Sequence, residues 1–369
     1  MPKKIKFNIN KRLIAIIAAV ILALALIITG FVIIKNKFFS AGSINQLGNM
    51  TVAKSSEIHA FNGGFVYLNG STLYCVDAKG NDLWNVSLET SEPKIGIASK
   101  RVAVYQNEWL YMYASDGTEI YKKPLNIEIA DVECGVEDVA LLNKDRDTIY
   151  VLNRNGGKID EIVLPNQTII NMGFYSTSEL LWVVSVNTQG SSPESTVSVW
   201  LPQSSVVAMQ TFSDEIIYDL AIEKGASSVI AVGTKSVTPI DTQTGTSGDV
   251  STLIYGYQQL CSSTAGSEHA AVIMAPTQQC VDGYVTDIIS VRSDKKTPIT
   301  LPEGCSAFLA TDKYIYCAAV NGVYVLSYEG ELVNTIAVEG EYDFVRAVGA
   351  SHFVYYGSEN TAKIVRITK

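Results

Sequence analysis

The chain has 369 residues, 47% of them hydrophobic and 18% charged, with a net charge of −9 at pH 7. Residues 1–37 contain seven of the 28 basic residues and no acidic residue, which leaves 21 basic and 37 acidic residues, a net charge of −16, for the rest. A surface this acidic repels nucleic acid and anionic polymers, so the sequence predicts no nucleic-acid partner.

The N-terminal region predicts a membrane anchor. Leu13 to Ile34 is a run of 22 residues without a charge, and as a helix it is roughly 33 Å long, enough to cross a hydrocarbon core. Five basic residues precede this run and only Lys35 and Lys37 follow it, which places the N-terminus in the cytoplasm. We therefore predict a cytoplasmic tail (1–12), a transmembrane helix (13–34), a linker (35–48) and an extracytoplasmic domain (49–369) of a single-pass cell-membrane protein.

A cleaved signal peptide is the alternative interpretation of this region. Ser40-Ala41-Gly42 offers small residues for a peptidase, but the apolar run is longer than the 7–15 residues typical of such peptides. No Cys directly follows the run, which excludes a lipoprotein anchor.

The remaining chain repeats one pattern of short strands and turns. Residues 71–88, STLYCVDAKGNDLWNVSL, form a strand, a turn rich in Gly and Asn, and a second strand. Similar four-strand units begin near residues 58, 94, 130, 169, 216, 256, 306 and 344. Because the eighth unit has three strands only, we expect Met50-Thr51-Val52-Ala53 to supply its outer strand and close the ring.

This spacing predicts an all-β fold, an eight-bladed β-propeller with one N-terminal transmembrane helix. One alternative is a ring of seven blades, because the fifth unit is the least regular. A second alternative is a pair of packed β-sandwiches.

The pattern L-Y-x-V-D-x-x-G-x-x-x-W, present as Leu73-Tyr74, Val76-Asp77, Gly80 and Trp84, resembles the repeat of quinoprotein-like (PQQ-like) propellers. Later units place Tyr121, Ile162 and Val333 near the Trp position. Over residues 50–369 the chain resembles uncharacterised single-pass propeller proteins of Gram-positive bacteria, which have no assigned activity. Quinoprotein dehydrogenases bind their cofactor with adjacent cysteines, a stacking Trp and calcium. This chain has no Cys-Cys pair, so the resemblance implies no cofactor.

The residues usually responsible for catalysis or metal binding are scattered. The six cysteines follow no disulfide framework, although Cys305 and Cys317 are the pair most suspected of bonding. His59, His269 and His352 form no metal motif, although ring closure would make the units that contain His59 and His352 neighbours. Asn143, Asp145 and Asp147 resemble a calcium loop only faintly and are better explained as a hairpin turn. The sequence thus predicts no catalytic, cofactor or metal site.

Two long connections between second and third strands are the best binding candidates, because long loops on a rigid scaffold often recognise partners. They are residues 187–194 and 275–284, and we expect them on one face of the ring. The candidate binding residues within them are Gln189, Ser191, Ser192, Gln278, Gln279, Asp282 and Tyr284.

From these features we predict a non-catalytic binding or scaffold module for an envelope protein or ligand; propellers of this repeat type serve as scaffolds elsewhere. The alternative is an enzyme, either a degenerate quinoprotein or a glycan-active propeller. This alternative requires convergent carboxylates or a cofactor at the ring mouth. A third hypothesis, a sensor, is disfavoured because the cytoplasmic tail is too short for a signalling domain.

Overall fold

The structure, a computed structural model, describes residues 43–54, 56–90, 92–175, 178–223, 228–241, 246–247, 251–263, 267–292, 295–349, 351–357 and 361–368. These residues form eight antiparallel sheets, which confirms the predicted eight-bladed propeller. The predicted tail and transmembrane helix (1–34) lie outside the described residues. Among the described residues, no helix is long and apolar enough to cross a bilayer.

The first four blades have four strands each, in sequence order. Blade 1 comprises β2 (Ile58–Phe61), β3 (Gly64–Asn69), β4 (Thr72–Val76) and β5 (Asp82–Ser87). Blade 2 comprises β6 (Lys94–Ala98), β7 (Arg101–Gln106), β8 (Trp109–Ala114) and β9 (Glu119–Pro124). Blade 3 comprises β10 (Ile129–Cys134), β11 (Val139–Asn143), β12 (Thr148–Leu152) and β13 (Lys158–Val163). Blade 4 comprises β14 (Thr168–Phe174), β15 (Leu181–Asn187), β16 (Glu194–Leu201) and β17 (Ser205–Ser213).

The last four blades contain two irregularities. Blade 5 comprises β18 (Ile217–Ile222), β19 (Ser228–Gly233), β20 (Ser236–Asp241), and an outer strand split into β21 (Thr246–Ser247) and β22 (Thr252–Leu253). Blade 6 comprises β23 (Tyr257–Ser262), β24 (Val272–Pro276), the helix α1 (Thr277–Asp282), β25 (Val285–Arg292) and β26 (Lys295–Cys305). Blade 7 comprises β27 (Ala307–Ala310), β28 (Tyr314–Ala319), β29 (Gly322–Ser327) and β30 (Leu332–Ala337). Blade 8 comprises β31 (Phe344–Val348), β32 (His352–Tyr356) and β33 (Thr361–Thr368), with β1 (Ser43–Thr51) as its outer strand.

The N-terminal strand closes the ring as expected. β1 pairs with β33, so the two ends of the propeller are joined within one sheet. Met50 and Val52 are buried in a cluster that also holds Tyr356 and Ile364 of blade 8 and Phe65 of blade 1. β1 begins at Ser43, six residues before the predicted start of the propeller, because it extends through part of the segment assigned to a linker.

The hydrophobic core lies between blades. Among the described residues, seven clusters of buried side chains each join two adjacent blades, from the pair formed by blades 8 and 1 to the pair formed by blades 6 and 7. The side-chain hydroxyl of Tyr355 in blade 8 donates a hydrogen bond of 3.2 Å to the carbonyl oxygen of Gly322 in blade 7. Each blade therefore depends on its neighbours for burial of its apolar faces.

The repeat motif specifies one of these contacts. The Asp77 carboxylate accepts hydrogen bonds from the amides of Lys79 and Asn81, which fixes the turn. The indole of Trp84 then donates to the carbonyl oxygen of Ser115 in blade 2, at 3.0 Å. A Cβ on Gly117, which has a φ of +81°, would lie 2.7 Å from the Trp84 ring, so only glycine fits this turn.

The six cysteines are free thiols, so the suspected bond between Cys305 and Cys317 is not formed. Both side chains are fully buried in the apolar cluster between blades 6 and 7, where a small apolar residue fits. Burial raises the pKa of the Cys305 thiol to about 12, and it also raises the pKa of the Cys317 thiol well above its ordinary value.

Closure by β1 predicts that Met50 contributes strongly to stability. Met50 is 5% exposed, whereas Met209 on the outer strand β17 is 51% exposed. We expect Met50→Ala to lower the free energy of unfolding by about 2–5 kcal/mol, because it leaves a cavity between blades 8 and 1. Met209→Ala, the matched control, should cost about 0.5 kcal/mol or less. Urea denaturation of both variants tests this, and equal losses would contradict the role of β1.

Candidate functional site

The two predicted loops connect equivalent strands. The first (188–193) joins β15 to β16, and the second (277–284), here called the α1 loop, joins β24 to β25. Because the strands of every blade are antiparallel and in the same order, connections between second and third strands emerge on one face of the ring. We call this the loop face. Connections from one blade to the next emerge there too.

In the first loop, Gln189 is hydrogen bonded to neighbouring residues, whereas Ser191 and Ser192 lie at the exposed tip. The Gln189 amide nitrogen donates to the Asn187 side chain at 2.9 Å, and the Gln189 side chain donates to the Asn166 side chain at 3.2 Å. Gln189 therefore fastens the loop to the connection between blades 3 and 4. Ser191 and Ser192 are exposed at the loop tip.

In the α1 loop, one of two adjacent glutamines is structural. The side-chain oxygen of Gln279, Oε1, accepts hydrogen bonds from the backbone amides of Thr286 and Asp287. The side-chain nitrogen of Gln279, Nε2, donates to the Asp287 carboxylate at 2.9 Å. These bonds fix α1 against the start of β25, and the bond from Gln279 Nε2, together with those from the Thr300 and Thr286 hydroxyls, lowers the pKa of Asp287. Gln278, Asp282 and Tyr284 are exposed, so three of the four candidates in this loop face solvent.

Exposed apolar side chains accompany these residues, and of them only Tyr284 was predicted from the sequence. Val281 is 82% exposed and Tyr284 56% exposed. The amide of Thr277 donates to the Gly256 carbonyl oxygen at 2.9 Å, which joins the start of α1 to the connection between blades 5 and 6. In that connection Tyr255 is 63% exposed, and Leu253 in the preceding β22 is 61% exposed. We call Leu253, Tyr255, Val281 and Tyr284 the apolar patch.

The innermost strands have a feature that strand rhythm alone does not reveal. First strands of neighbouring blades contact one another, so they surround the central axis. In blades 3 to 6 the first strand has a β-bulge near its start. The residue after the bulge is Asp131, Asn171 or Asp219 in blades 3 to 5. The side-chain oxygens of Asp131 and Asn171 each accept a hydrogen bond from the next amide, at 2.9 Å.

The sequence carries a signal for this bulge. The segments IADV, IINM and IYDL begin the third, fourth and fifth units, each with Asp or Asn third. Short polar side chains favour such positions because they hydrogen bond to nearby backbone. These residues therefore have a structural role, although they also place carboxylates near the central axis.

Glu133 is the carboxylate whose environment is most unusual. It lies on β10, two residues after Asp131 and between Val132 and Cys134, which pack towards blade 2. Burial, with the negative charge of Asp131 nearby, raises the pKa of Glu133 to about 8. Glu133 therefore carries a proton for much of the time at neutral pH.

A cavity of about 550 Å³ opens beside these strands, lined in part by Glu57, His59, Glu92 and Asp131. Burial lowers the pKa of His59, and the carboxylate of Glu57, 3.7 Å from its Nε2, partly opposes that effect. Within the described residues, no group of three or more His, Cys, Asp or Glu side chains has the arrangement of a metal site.

The remaining sequence candidates have structural partners. The His352 ring packs edge-on against Phe65, with centroids 5.1 Å apart, and burial lowers its pKa to about 4. In the calcium-like segment, the side chains of Asn143 and Asp147 hydrogen bond to each other at 2.8 Å. The side-chain oxygen of Asn143 also accepts hydrogen bonds from the backbone amides of Asp147 and Thr148, as expected for a hairpin turn.

Comparison with known proteins places the chain in a family. The sequence matches the family of unknown function DUF5711 over residues 35–367. The chain belongs to DUF5711. No curated protein sequence matches this DUF5711 member.

Solved structures with similar folds are propellers of low sequence identity. BamB from Moraxella catarrhalis superimposes with a TM-score of 0.54 and 11% identity, over 88% of this chain and 97% of that one. The WD40 domain of SCAP from fission yeast has a TM-score of 0.54 and 10% identity, over 89% of this chain and 98% of that one. The β-propeller domain of Cps50 (Swd1) from Myceliophteria thermophila has a TM-score of 0.50 and 10% identity, over 88% of this chain and 100% of that one. These similarities establish the fold of this DUF5711 protein.

The raised pKa of Glu133 predicts a pH-dependent stability. A carboxyl whose pKa is higher in the folded state stabilises the fold when protonated, and this contribution is lost as pH rises from about 4.3 through about 8. Glu133→Gln stays neutral, so it should gain about 1–2 kcal/mol over the unsubstituted protein between pH 5 and pH 9, allowing for partial solvent contact.

Urea denaturation at the two pH values measures this difference. Glu119→Gln, on the exposed outer strand β9, is the control and should show no such change. A Glu133→Gln effect of the same size at pH 5 and pH 9 would show that Glu133 is ionised throughout this range.

Proposed function

We propose that this protein is a membrane-anchored, extracytoplasmic propeller of the PQQ-like class that acts as a non-catalytic binding module for an envelope protein. The observation that carries the proposal is the apolar patch. Isolated exposed apolar residues are common, but Val281 and Tyr284 belong to one short loop that hydrogen bonds to the segment containing Tyr255. Tyrosine surrounded by polar residues is typical of protein interfaces.

The α1 loop is suited to docking because it is fixed before a partner arrives. Gln279 holds it against β25, while Gln278, Asp282 and Tyr284 remain exposed beside Val281. A rigid loop loses little conformational entropy on binding. The first long loop, fastened by Gln189, extends the same face towards blade 4.

Catalysis is a weaker interpretation of the same geometry. Asp131 lines the cavity of about 550 Å³ beside the innermost strands, and one of its carboxylate oxygens accepts a hydrogen bond from the amide of Val132. Burial raises the pKa of the Cys261 thiol to about 12, so this inner-strand cysteine offers no thiolate at neutral pH. The described part of the central axis therefore offers carboxylates without an activated cysteine nucleophile.

The location proposed for the propeller follows from residues 1–37. The uncharged run from Leu13 to Ile34 and the five basic residues before it support an N-terminal anchor with the propeller outside the cytoplasm. An exported propeller meets partners of the cell envelope, which gives the apolar patch its proposed class of partner.

Removal of the apolar side chains tests the docking surface. The full-length protein, tagged at its C-terminus, is cross-linked in intact cells, purified and analysed by mass spectrometry. We expect Val281→Ser with Tyr284→Ser to lose a reproducible envelope protein by tenfold or more, since central aromatic contacts are worth about 2 kcal/mol or more. The control is Leu83→Ser with Leu332→Ser, whose side chains are 54% and 51% exposed on the outer strands β5 and β30, and this variant should retain the envelope protein.

If both double variants retain the same proteins, the apolar patch is not the docking surface. If the unsubstituted protein recovers only a small molecule, the proposed partner class is wrong.

The proposed location has a separate test. Protease added outside intact spheroplasts should degrade the propeller of the full-length protein and leave the short N-terminal tail protected. The protein should also stay in the membrane fraction after carbonate extraction. Recovery of the propeller in the soluble cytoplasmic fraction, or its protection from external protease, would contradict the proposed orientation.

A further inference from the structure

A second surface feature lies on the other face of the ring, where first-to-second and third-to-fourth strand connections emerge. There a cavity of about 290 Å³ opens between blades 6 and 7. Its lining comprises His269, Ser290, Arg292, Lys295, Thr297, Tyr328 and Glu329. His269, Arg292 and Lys295 can carry positive charge, and Glu329 carries negative charge. Such an excess of basic side chains is unusual here, because residues 38–369 have a net charge of −16.

Arg292 is held rigidly in this cavity. Its guanidinium lies 4.2 Å from the centre of the Tyr328 ring, a cation–π contact. The Tyr328 ring is itself fixed, because its hydroxyl donates to the Thr311 carbonyl oxygen at 2.5 Å and its backbone carbonyl accepts from the Ser290 hydroxyl at 3.1 Å. The guanidinium is therefore positioned before any ligand binds.

The cations of the cavity lack the partners that such groups usually have. Within the described part of the chain, neither Arg292 nor Lys295 makes an ion pair, and Arg292 donates only one long hydrogen bond, of 3.5 Å, to the Asp312 carbonyl oxygen. One oxygen of the Asp312 carboxylate accepts the amide of Glu268, and this carboxylate makes no ion pair with Arg292. A guanidinium has five N–H donors, so most of those of Arg292 are available to a ligand.

We propose that this cavity binds a phosphate group, either free or as part of a phosphate ester. Arginine binds phosphate oxygens in pairs, lysine adds a point charge, and the Thr297 hydroxyl and His269 ring supply further donors. The volume suits a small head group rather than a nucleotide. Glu329, at the same cavity, opposes the anion and limits its affinity. The site faces away from the loop face, so it is independent of the docking surface.

The test uses the purified full-length protein, with inorganic phosphate and glycerol 3-phosphate as probes in calorimetry at fixed ionic strength. We expect saturable binding of at least one probe, with a Kd on the order of 1 mM. Arg292→Gln should weaken binding about tenfold or more, and Lys295→Gln about threefold or more. Glu329→Gln should tighten binding about two- to fivefold, a gain that misfolding cannot produce.

The control is Lys79→Gln with Lys100→Gln, which removes two exposed positive charges on blades 1 and 2. It should leave the Kd unchanged within about twofold, because screened charges at a distance contribute little. Binding of inorganic phosphate would indicate a site for the free ion, and binding of glycerol 3-phosphate alone a site for esters. Absence of saturable binding of both probes overturns the proposal, and so does an equal loss of affinity in the control. If Arg292→Gln fails to fold, the changes in Kd of Lys295→Gln and Glu329→Gln test the proposal instead.

Discussion

The pairing of β1 with β33 is the interaction on which the rest of the propeller depends. A ring of sheets is stable only when its first and last blades pack together, because each blade buries its apolar faces against two neighbours. Here the N-terminal strand completes blade 8, and Met50 and Val52 bury themselves against blades 8 and 1. β1 ends at Thr51 and β33 begins at Thr361, so strands from the two ends of the propeller share one sheet.

The contact between neighbouring blades explains why the repeat motif has its form. An Asp fixes the hairpin turn, and an aromatic residue on the outer strand reaches the turn of the following blade. Trp84 meets Gly117 in this way, and Tyr121 meets Gly156, where an added Cβ would lie 3.1 Å from the ring. Tyr121 was recognised in the sequence as the counterpart of the Trp, and the structure shows that it makes the same contact. The motif can weaken from blade to blade because several large side chains fill this space.

Much of the fold was predictable because its signals are local. Gly and Asn turns and alternating apolar residues located the four-strand units, and the count of strands predicted closure. The β-bulges before Asp131, Asn171 and Asp219 were missed because Asp and Asn are also common in ordinary turns, and a bulge is defined only against its partner strand. The helix α1 was missed because six residues are too few to show helical periodicity. β1 begins earlier than predicted because its first residues, Ser43 to Gly48, lack a strong strand pattern.

The candidate surfaces were predictable only in part. Loop length identified 187–194 and 275–284, but it could not separate exposed Gln278 from Gln279, whose partners lie on β25. The apolar patch joins residues from the end of blade 5 to the α1 loop, and the cavity between blades 6 and 7 joins His269, Arg292 and Lys295 to Tyr328 of the next blade. Such groupings form only when blades pack, so they have no signature along the chain.

Amide hydrogen exchange of β33 is the most direct test of ring closure. If β1 completes blade 8, β33 is paired on both sides, and the amides of its backbone should exchange slowly along the whole strand. The outer strand β9 is paired on one side only, so alternate amides there should exchange faster by orders of magnitude. Alternating fast exchange in β33, as in β9, would show that the ring is not closed by the N-terminal strand.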